Sequence, residues 1–212
     1  MNKRYFVSGI GTGVGKTIVS AVLAEAMKAD YFKPVQCGNL DSTDSDFVAE
    51  HLFNSKSKVH YGGHAFRLAA SPHAASAAEG KALALADIHL PDTTNTLLVE
   101  GAGGILVPLN QENEYTIHIA KKHELEIILV ADYYLGSINH TLLALNYLKA
   151  NNYKIAFIVF NGDKVESSKR AILAAADALP YLEIPRFEIS PEAVKEQADV
   201  LAQQLHKNLE KR

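Results

Sequence analysis

Residues 9–17 read Gly9-Ile10-Gly11-Thr12-Gly13-Val14-Gly15-Lys16-Thr17, a glycine-rich run that ends in a lysine and a threonine. The apolar residues before it, Tyr5 to Val7, predict a strand, and the apolar spacing after it predicts a helix over 16–28. Glycines allow a tight turn whose backbone N–H groups point at phosphate oxygens, and a helix amino terminus and a lysine add positive charge there. We therefore predict a phosphate-binding loop (the P-loop) and ATP contacts from Gly11, Thr12, Gly13, Val14, Gly15, Lys16 and Thr17.

The spacing of this P-loop departs from the strict pattern Gly-x4-Gly-Lys-Ser/Thr. Ile10 stands where the first glycine of that pattern should be, and Gly9 lies one residue earlier. A flexible glycine turn with an incidental lysine is the structural alternative. The strand-loop-helix context favours the nucleotide site, in which the Thr17 hydroxyl binds Mg²⁺.

Short apolar runs alternate with segments of helical period along the rest of the chain. The predicted strands are 5–7, 31–33, 96–99, 127–130, 155–160 and 183–187, and the predicted helices are 16–28, 44–52, 72–81, 137–150, 167–179 and 192–209. This alternation is typical of βαβ units. It predicts an α/β fold with a doubly wound, mostly parallel sheet flanked by helices, of the P-loop NTP hydrolase type, in a single domain over residues 1–212.

Composition limits the function classes. The chain has 212 residues, of which 48% are hydrophobic and 21% charged, with a net charge of −3, so a globular core is expected and a basic nucleic-acid-binding surface is not. A single cysteine, Cys37, excludes an internal disulfide and a cysteine-rich zinc site. Neither a signal-peptide core nor an apolar run long enough to cross a bilayer is present. We predict a cytoplasmic protein that binds neither nucleic acid nor membranes.

Two acidic residues are candidates for a magnesium site. Glu100 follows the apolar strand that ends at Val99, which places it at the ligand-facing edge of such a sheet. Asp46 lies at the start of a predicted helix and is a second candidate carboxylate. The structural alternatives are a strand-end charge for Glu100 and a charge that favours the helix dipole for Asp46.

Three further segments suggest a second ligand near the nucleotide, and a fourth suggests a contact with the nucleotide base. Lys33 precedes Pro34, so its backbone is biased to extended and its side chain points toward the carboxyl end of a strand. Ser71 and Gly136 each open a predicted helix, whose free N–H groups suit an anion. Asn161 ends a strand, and its amide matches the donor and acceptor of an adenine edge. A solvated lysine and a simple helix cap are the alternatives for Lys33 and Ser71.

Taken together, the ordered motifs resemble the dethiobiotin synthetase family. They comprise Gly9 through Thr17, Lys33-Pro34-Val35, Ser45-Asp46, Ser71-Pro72-His73, Glu79-Gly80, Val99 through Gly104, Val107-Pro108-Leu109, and Leu135-Gly136 with Ile138-Asn139-His140. These motifs cover about the first two-thirds of the chain, and Asn161 and Ile184-Pro185 extend the match more weakly.

The resemblance implies a homodimer that closes a cyclic urea from 7,8-diaminononanoate, CO₂ and MgATP in biotin biosynthesis. It implies that Lys16 and Lys33 are catalytic and that Thr17, Asp46 and Glu100 hold Mg²⁺. Asn161 and Pro185 would contact the nucleotide. The substrate contacts implied are Cys37, Ser71, Gly101, Gly104, Gly136, Ser137 and Asn139.

Three departures from the family pattern change the expected contacts. Gly11 and Gly13 stand where the family often carries acidic residues, and Cys37 replaces a serine, which removes a strong hydroxyl donor. Cys37 is interpreted as a packed thiol rather than a nucleophile, because no histidine partner is indicated. The segment 162–165 lacks the usual prolines.

Two other enzyme classes share parts of this pattern. A deviant P-loop switch ATPase normally has a lysine early in the loop, where this chain has Gly11. An amide-forming synthetase that takes ammonia from a glutaminase domain needs a longer chain. Both are weaker interpretations than the cyclic-urea synthetase.

Overall fold

A computed structural model describes residues 3–209; for 207–209 it gives the backbone alone. The strands are β1 (Arg4–Gly9), β2 (Asp30–Phe32), β3 (Val35–Cys37), β4 (Val59–His60), β5 (His64–Phe66), β6 (Leu97–Gly104), β7 (Glu126–Asp132), β8 (Ile155–Asn161) and β9 (Tyr181–Ile184). The helices are α1 (Lys16–Met27), α2 (Asp44–Glu50), α3 (Pro72–Ala78), α4 (His118–Lys122), α5 (Ser137–Ala150), α6 (Glu166–Ala174) and α7 (Pro191–Leu209), with a 3₁₀ turn at Leu85–Asp87. The predicted single domain over residues 1–212 stays a prediction, since Met1, Asn2 and residues 210–212 lie outside the described residues.

Seven strands form the main sheet in the order β4-β2-β6-β1-β7-β8-β9, and every strand pair in it is parallel. β3 and β5 form a separate parallel pair beside it. The order places β1 in the centre, with β6 on one side and β7 on the other. The predicted doubly wound parallel sheet is confirmed.

Apolar side chains alternate between the two faces of the sheet, so each face carries its own core layer. One layer contains Phe6, Val99, Ile127 and Phe160 of the strands with Leu145 and Ile172 of α5 and α6. The other contains Val7, Leu98, Ile128 and Val159 with Val22 and Leu201 of α1 and α7. Burial on both faces explains why the central strands are nearly continuous apolar runs.

Several predicted boundaries were wrong for identifiable reasons. The last strand spans Tyr181–Ile184 rather than 183–187, because Pro185 has no N–H for the ladder. α6 ends at Ala174 rather than at 179, and Asp177 and Ala178 have positive φ angles of 48° and 57° that no helix continues. β6 extends through the glycines to Gly104.

The parallel arrangement positions the candidate site. All strands of the main sheet point the same way, so their carboxyl ends meet at one edge. β1 leads into the P-loop there, β2 is followed by Lys33, and Val7 of β1 pairs with Glu100 of β6. This arrangement brings the P-loop, Lys33 and Glu100 close together, although they come from distant parts of the sequence.

Candidate active site

The P-loop has the backbone shape that its glycines predict. Gly13 and Gly15 have φ angles of 75° and 82°, which an L side chain rarely adopts. A Cβ on Gly15 would also collide with the amide nitrogen of Asn161. That amide donates to the carbonyl oxygen of Val14 at 3.0 Å. Asn161, at the end of β8, therefore stabilises the P-loop through this hydrogen bond. The predicted role of Asn161 in adenine binding did not include this contact.

Lys16 lies in the first turn of α1 and is 7% exposed. Its Nζ donates to the carbonyl oxygen of Gly11 at 3.0 Å across the mouth of the loop. Burial lowers the pKa of Lys16 to about 8, although the charge of Glu100 raises it in part. A phosphate at the P-loop would replace the weak carbonyl partner and stabilise the charged ammonium.

Glu100 is 1% exposed and receives three hydrogen bonds. Its Oε1 accepts from the Thr17 hydroxyl at 3.1 Å and from Lys33 Nζ at 2.8 Å, and its Oε2 accepts from the Tyr31 hydroxyl at 2.9 Å. A buried carboxylate requires such partners. The structure thus brings Thr17, Lys33 and Glu100 together, as the sequence predicted.

The Lys33 ammonium uses its three donors within the described contacts. It lies 2.6 Å from Asp44 Oδ2 and 2.8 Å from Glu100 Oε1, and it donates to the carbonyl of Gly101 at 3.2 Å. Burial opposes the charge most strongly, but the two carboxylates outweigh it and raise the pKa of Lys33. Lys33 is therefore a buried cation in two ion pairs and not the solvated lysine of the structural alternative.

The two aspartates at the start of α2 face different ways. Asp44 contacts Lys33 and lines the same cavity as Glu100. Asp46 is exposed, and its Oδ2 accepts from the backbone N–H and hydroxyl of Thr43 at 2.9 and 2.6 Å in a capping box. Its Oδ1 accepts from the Tyr61 hydroxyl at 3.2 Å. The structure does not bring Asp46 to Thr17 and Glu100, which agrees with the helix-start alternative for this residue, and its metal-binding role stays a prediction.

A cavity of about 680 Å³ opens over these residues. Its walls include nine predicted site residues, namely Thr12, Gly13, Gly15, Lys16, Thr17, Lys33, Cys37, Ser71 and Glu100. Residues that sequence reasoning missed include Gln36, Asn39, Asp44, Ala102, Gly103 and Val107. The cavity volume is in the range of small-molecule sites.

Cys37 and Ser71 lie on the cavity wall. Burial raises the pKa of Cys37 to about 11, so Cys37 is a protonated thiol at neutral pH and a poor nucleophile. Ser71 stands at the N-cap of α3, but in the described part of the chain its side chain makes no capping hydrogen bond. Its Oγ lies 2.9 Å from His73 Nδ1 instead. The hydroxyl is therefore not used as a helix cap, contrary to the structural alternative for Ser71.

Other predicted site residues lie at different distances from this cavity. Val14 is buried behind the loop, and Gly104 pairs with Gly9 at the end of β6. Pro185 lines a separate cavity of about 390 Å³ that includes Tyr133 and Gly162. Gly136, Ser137 and Asn139 open α5 outside the 680 Å³ cavity. One copy of the chain does not bring these last three residues to Lys33.

No three histidine, cysteine or acidic side chains converge on one point within residues 3–209. A magnesium ion here would therefore depend on the Thr17 hydroxyl, one or two carboxylates and the phosphates of a nucleotide, which is the usual mode for Mg²⁺ with nucleotides. None of the helices between residues 3 and 209 is long and apolar enough to span a bilayer.

Comparison with known sequences gives a match to one family model and several related proteins that share one name. The family described as AAA domain matches residues 3–190. An ATP-dependent dethiobiotin synthetase BioD of Cytophaga hutchinsonii is 45% identical over 91% of this chain and 93% of its own. Proteins of the same name from Christiangramia forsetii and Rhodopseudomonas palustris are 45% and 36% identical, over 81% and 89% of this chain and 82% and 88% of theirs.

Solved structures with similar folds are more distant. The septum site-determining protein MinD of Pyrococcus horikoshii, complexed with Mg-ADP, has a TM-score of 0.57 at 18% identity, covering 99% of this chain and 96% of its own. A ParA family ATPase of Chlorobium tepidum has a TM-score of 0.53 at 13% identity, covering 97% and 92%. At these identities the likeness shows the P-loop NTPase fold and nothing about the reaction.

Proposed function

We propose a reaction and its residues from the premise that this chain belongs to the family of ATP-dependent dethiobiotin synthetases. The protein is a ligase that uses ATP to close the ureido ring of dethiobiotin in biotin biosynthesis. Its substrates are 7,8-diaminononanoate, CO₂ and ATP, and its products are dethiobiotin, ADP and phosphate.

One observation carries the assignment of residues. Lys33 and Thr17 meet on the same oxygen of Glu100, within 2.8 and 3.1 Å, beside a cavity that the P-loop also lines. A cation, a hydroxyl and a carboxylate at the end of a P-loop are the groups that phosphoryl transfer to a second bound molecule requires. The proposed substrate wall, with Ser71 and Cys37, belongs to the same cavity.

The nucleotide phosphates would lie on the P-loop. Backbone N–H groups of residues 11–17 and the amino terminus of α1 would bind phosphate oxygens. Lys16 would exchange the Gly11 carbonyl for the β- and γ-phosphates. Asn161 and Pro185 stay the proposed contacts for the base, which requires the adenine to reach from the P-loop toward the carboxyl ends of β8 and β9.

Magnesium would be held by Thr17 and Glu100, and the residues present fit it. Their oxygens are hard donors 3.1 Å apart, close enough to share one small ion. Asp46 is the proposed third protein ligand; it would have to leave its contacts with Thr43 and Tyr61. Asp44, already 2.6 Å from Lys33, is the alternative carboxylate. When bound, the ion would neutralise negative charge on the nucleotide phosphates.

The reaction needs no covalent bond to the protein. One amine of the diamine adds to CO₂, loses a proton and becomes a carbamate. A carbamate oxygen attacks the γ-phosphorus and expels ADP, which gives a mixed carbamic-phosphoric anhydride. The second amine attacks the carbamate carbon, loses a proton and expels phosphate, and the ring closes. The protein orients the two substrates and stabilises charge.

Lys33 would stabilise the negative charge that passes from carbamate to phosphate. To do so its ammonium must exchange one of its two carboxylate partners for substrate oxygens. Both carboxylates keep it protonated and therefore positive at neutral pH. Ser71, with His73 behind it, would hydrogen bond the carbamate, and Cys37 would pack against it as a thiol. The backbone at Gly101 and Gly104 completes the proposed substrate contacts.

The carboxylate of the substrate would bind Gly136, Ser137 and Asn139 of a second copy of the chain. These residues open α5, where Leu135 is fully exposed and Leu143 is 60% exposed, and burial of such side chains favours association. The Ser137 hydroxyl is buried and lacks a hydrogen-bond partner among the described residues. A homodimer is thus part of the proposal.

Product analysis tests the reaction. Purified protein is mixed with MgATP, bicarbonate and 7,8-diaminononanoate, and the products are separated, identified and quantified by mass spectrometry. We expect dethiobiotin, ADP and phosphate in equal amounts, and none of the three when the diamine is omitted. ATP hydrolysis that needs a different substrate, or no second substrate, would overturn the assignment.

A further inference from the structure

We propose that Tyr31 is a positioning residue for the magnesium site, because its hydroxyl holds the plane of the Glu100 carboxylate in the orientation that faces Thr17. This inference rests on the proposed function only in taking Thr17 and Glu100 as Mg²⁺ ligands. Tyr31 is the central residue of β2, is fully buried, and donates to Glu100 Oε2 at 2.9 Å. It does not line the cavity, so it would act on the ion through Glu100 alone.

The two oxygens of Glu100 have separate partners. Oε1 receives the Thr17 hydroxyl and the Lys33 ammonium, and Oε2 receives the Tyr31 hydroxyl. The torsion that turns a glutamate carboxylate has broad, two-fold preferences, so the side chain alone does not fix the orientation of the carboxylate plane. A charge-assisted hydrogen bond from a fixed donor to one oxygen restricts that rotation. With Tyr31 on Oε2, Oε1 is the oxygen available to an ion beside Thr17.

The sheet places Tyr31 where it can do this. β2 and β6 are parallel neighbours, and Tyr31 pairs with Leu98. Tyr31 and Leu98 belong to the core layer that faces α1. Glu100 lies two residues beyond Leu98 and therefore points to the same face, toward the start of α1 at Thr17. The tyrosine ring spans the diagonal distance between the strands, and its hydroxyl reaches the carboxylate from the core side.

The Tyr31 hydroxyl donates to Glu100 Oε2 at 2.9 Å inside the buried core. Phenylalanine at this position would keep the ring and its packing but would leave Oε2 buried without a donor. The carboxylate would then be free to turn, and its affinity for an ion beside Thr17 would fall.

The experiment compares Tyr31→Phe with Tyr153→Phe as a matched control. Tyr153 is a partly buried tyrosine that precedes β8, at the opposite edge of the sheet from the cavity. ADP binding is measured by calorimetry at a series of Mg²⁺ concentrations and also with a chelator. Thermal unfolding of each variant without Mg²⁺ and nucleotide reports the fold. Because ADP binding does not involve the diamine, it can succeed or fail independently of ring closure.

For Tyr31→Phe we expect ADP binding without Mg²⁺ to match the wild type and the Mg²⁺ concentration for half-saturation to rise about 10- to 100-fold, the usual effect of removing a hydrogen bond behind a metal ligand. Tyr153→Phe should keep the wild-type Mg²⁺ dependence.

If Tyr31→Phe lowers the unfolding temperature but leaves Mg²⁺ half-saturation within about twofold of the wild type, the hydroxyl is structural and the inference is wrong. Tyr31→Met serves the same comparison if Tyr31→Phe does not fold. Wild-type protein that binds Mg²⁺ and ADP but forms no dethiobiotin would reject the reaction and leave this inference standing.

Discussion

Glu25 and Glu100 are both almost inaccessible to solvent, at 2% and 1% exposure, but the groups around them differ. Glu25 receives hydrogen bonds from Lys28, from two backbone N–H groups at residues 53 and 54, and from the Asn54 amide. These donors belong to a loop and a helix end. Glu100 receives its hydrogen bonds from the side chains of Thr17, Tyr31 and Lys33, beside a cavity.

The difference separates a structural carboxylate, Glu25, from Glu100, the carboxylate proposed to bind Mg²⁺. Backbone donors cannot be withdrawn without unfolding the loop, so Glu25 ties residues 53–54 to α1 even if the side chains of Lys28 and Asn54 move away. The cation and hydroxyl on Glu100 are flexible side chains that a nucleotide and a metal ion can redirect. Burial alone therefore does not distinguish the proposed active-site carboxylate from a structural one in this protein, whereas the nature of the donors separates them.

The lysines beside the two glutamates give the largest expected contrast. Lys33→Ala removes the cation proposed to lie between the substrates and should lower the rate of ring closure on the order of 10²- to 10³-fold, with ATP binding nearly intact. Lys28→Ala removes the half-exposed partner of Glu25 and should leave the rate unchanged. Steady-state rates and nucleotide affinities of both variants check this. Equal rates for Lys33→Ala and the wild type would contradict the assigned role.

Substitution of the two glutamates should separate activity from stability. The change at Glu100 should lower the rate of ring closure, and the change at Glu25 should lower the free energy of unfolding. Glu100→Gln keeps the shape of the side chain but removes the charge that would hold Mg²⁺, so we expect a loss of rate of about 10²-fold or more that excess Mg²⁺ partly restores. Glu25→Gln should keep the rate per folded molecule but lower the free energy of unfolding by about 2–3 kcal/mol. Denaturant unfolding and a Mg²⁺ titration of the rate separate the two effects. Loss of activity in Glu25→Gln with unchanged stability would contradict the structural role of Glu25.

The two aspartates of α2 offer a comparison of the same kind with a smaller effect. If Asp46 binds the ion as proposed, Asp46→Asn should raise the Mg²⁺ concentration for half-maximal rate about 10- to 100-fold, and Asp44→Asn should lower the rate without this shift because it loosens Lys33. A Mg²⁺ shift in Asp44→Asn alone would transfer the ligand role to Asp44. Capping by Asp46 alone predicts a small loss of stability and an unchanged Mg²⁺ dependence for Asp46→Asn.

The pH dependence of stability gives the smallest expected effect. Burial opposes the ionised form of Glu25, but its hydrogen bonds outweigh burial and lower its pKa from 4.5 to about 2. A carboxylate with a lowered pKa adds stability above the unfolded pKa, and this stability is lost as the pH falls through the folded pKa. The stability difference between wild type and Glu25→Gln should therefore be full above about pH 5 and shrink toward pH 2. A difference that does not change between pH 6 and pH 3 would refute the low pKa of Glu25.

Local patterns in the sequence were sufficient for the centre of the site. The P-loop, Lys33 before Pro34 and Glu100 after an apolar strand are all signals of a few adjacent residues, and a parallel sheet brings strand ends together. The order of these motifs also indicated the family, which the comparisons confirm. The same reasoning placed α5 at 137–150, where the structure has it.

The remaining features depend on packing, which a sequence does not display. Asp44 and Asp46 are two residues apart, and only the orientation of α2 decides which of them meets Lys33. Tyr31 looks like an ordinary apolar strand residue until β6 is placed beside it. The short strands β3, β4 and β5 have two or three residues each, too few for periodicity to detect. Gly136 to Asn139 do not line the cavity in one copy of the chain, so their proposed role depends on the proposed second copy.

The central claim is that one cavity holds the γ-phosphate of ATP against a carbamate oxygen beside Lys33. Bicarbonate labelled with heavy oxygen (¹⁸O) tests it most directly, in a single turnover analysed before the label exchanges with water. If a carbamate oxygen attacks the phosphorus, the phosphate released on ring closure carries one labelled oxygen from bicarbonate. Unlabelled phosphate formed together with dethiobiotin would contradict the account.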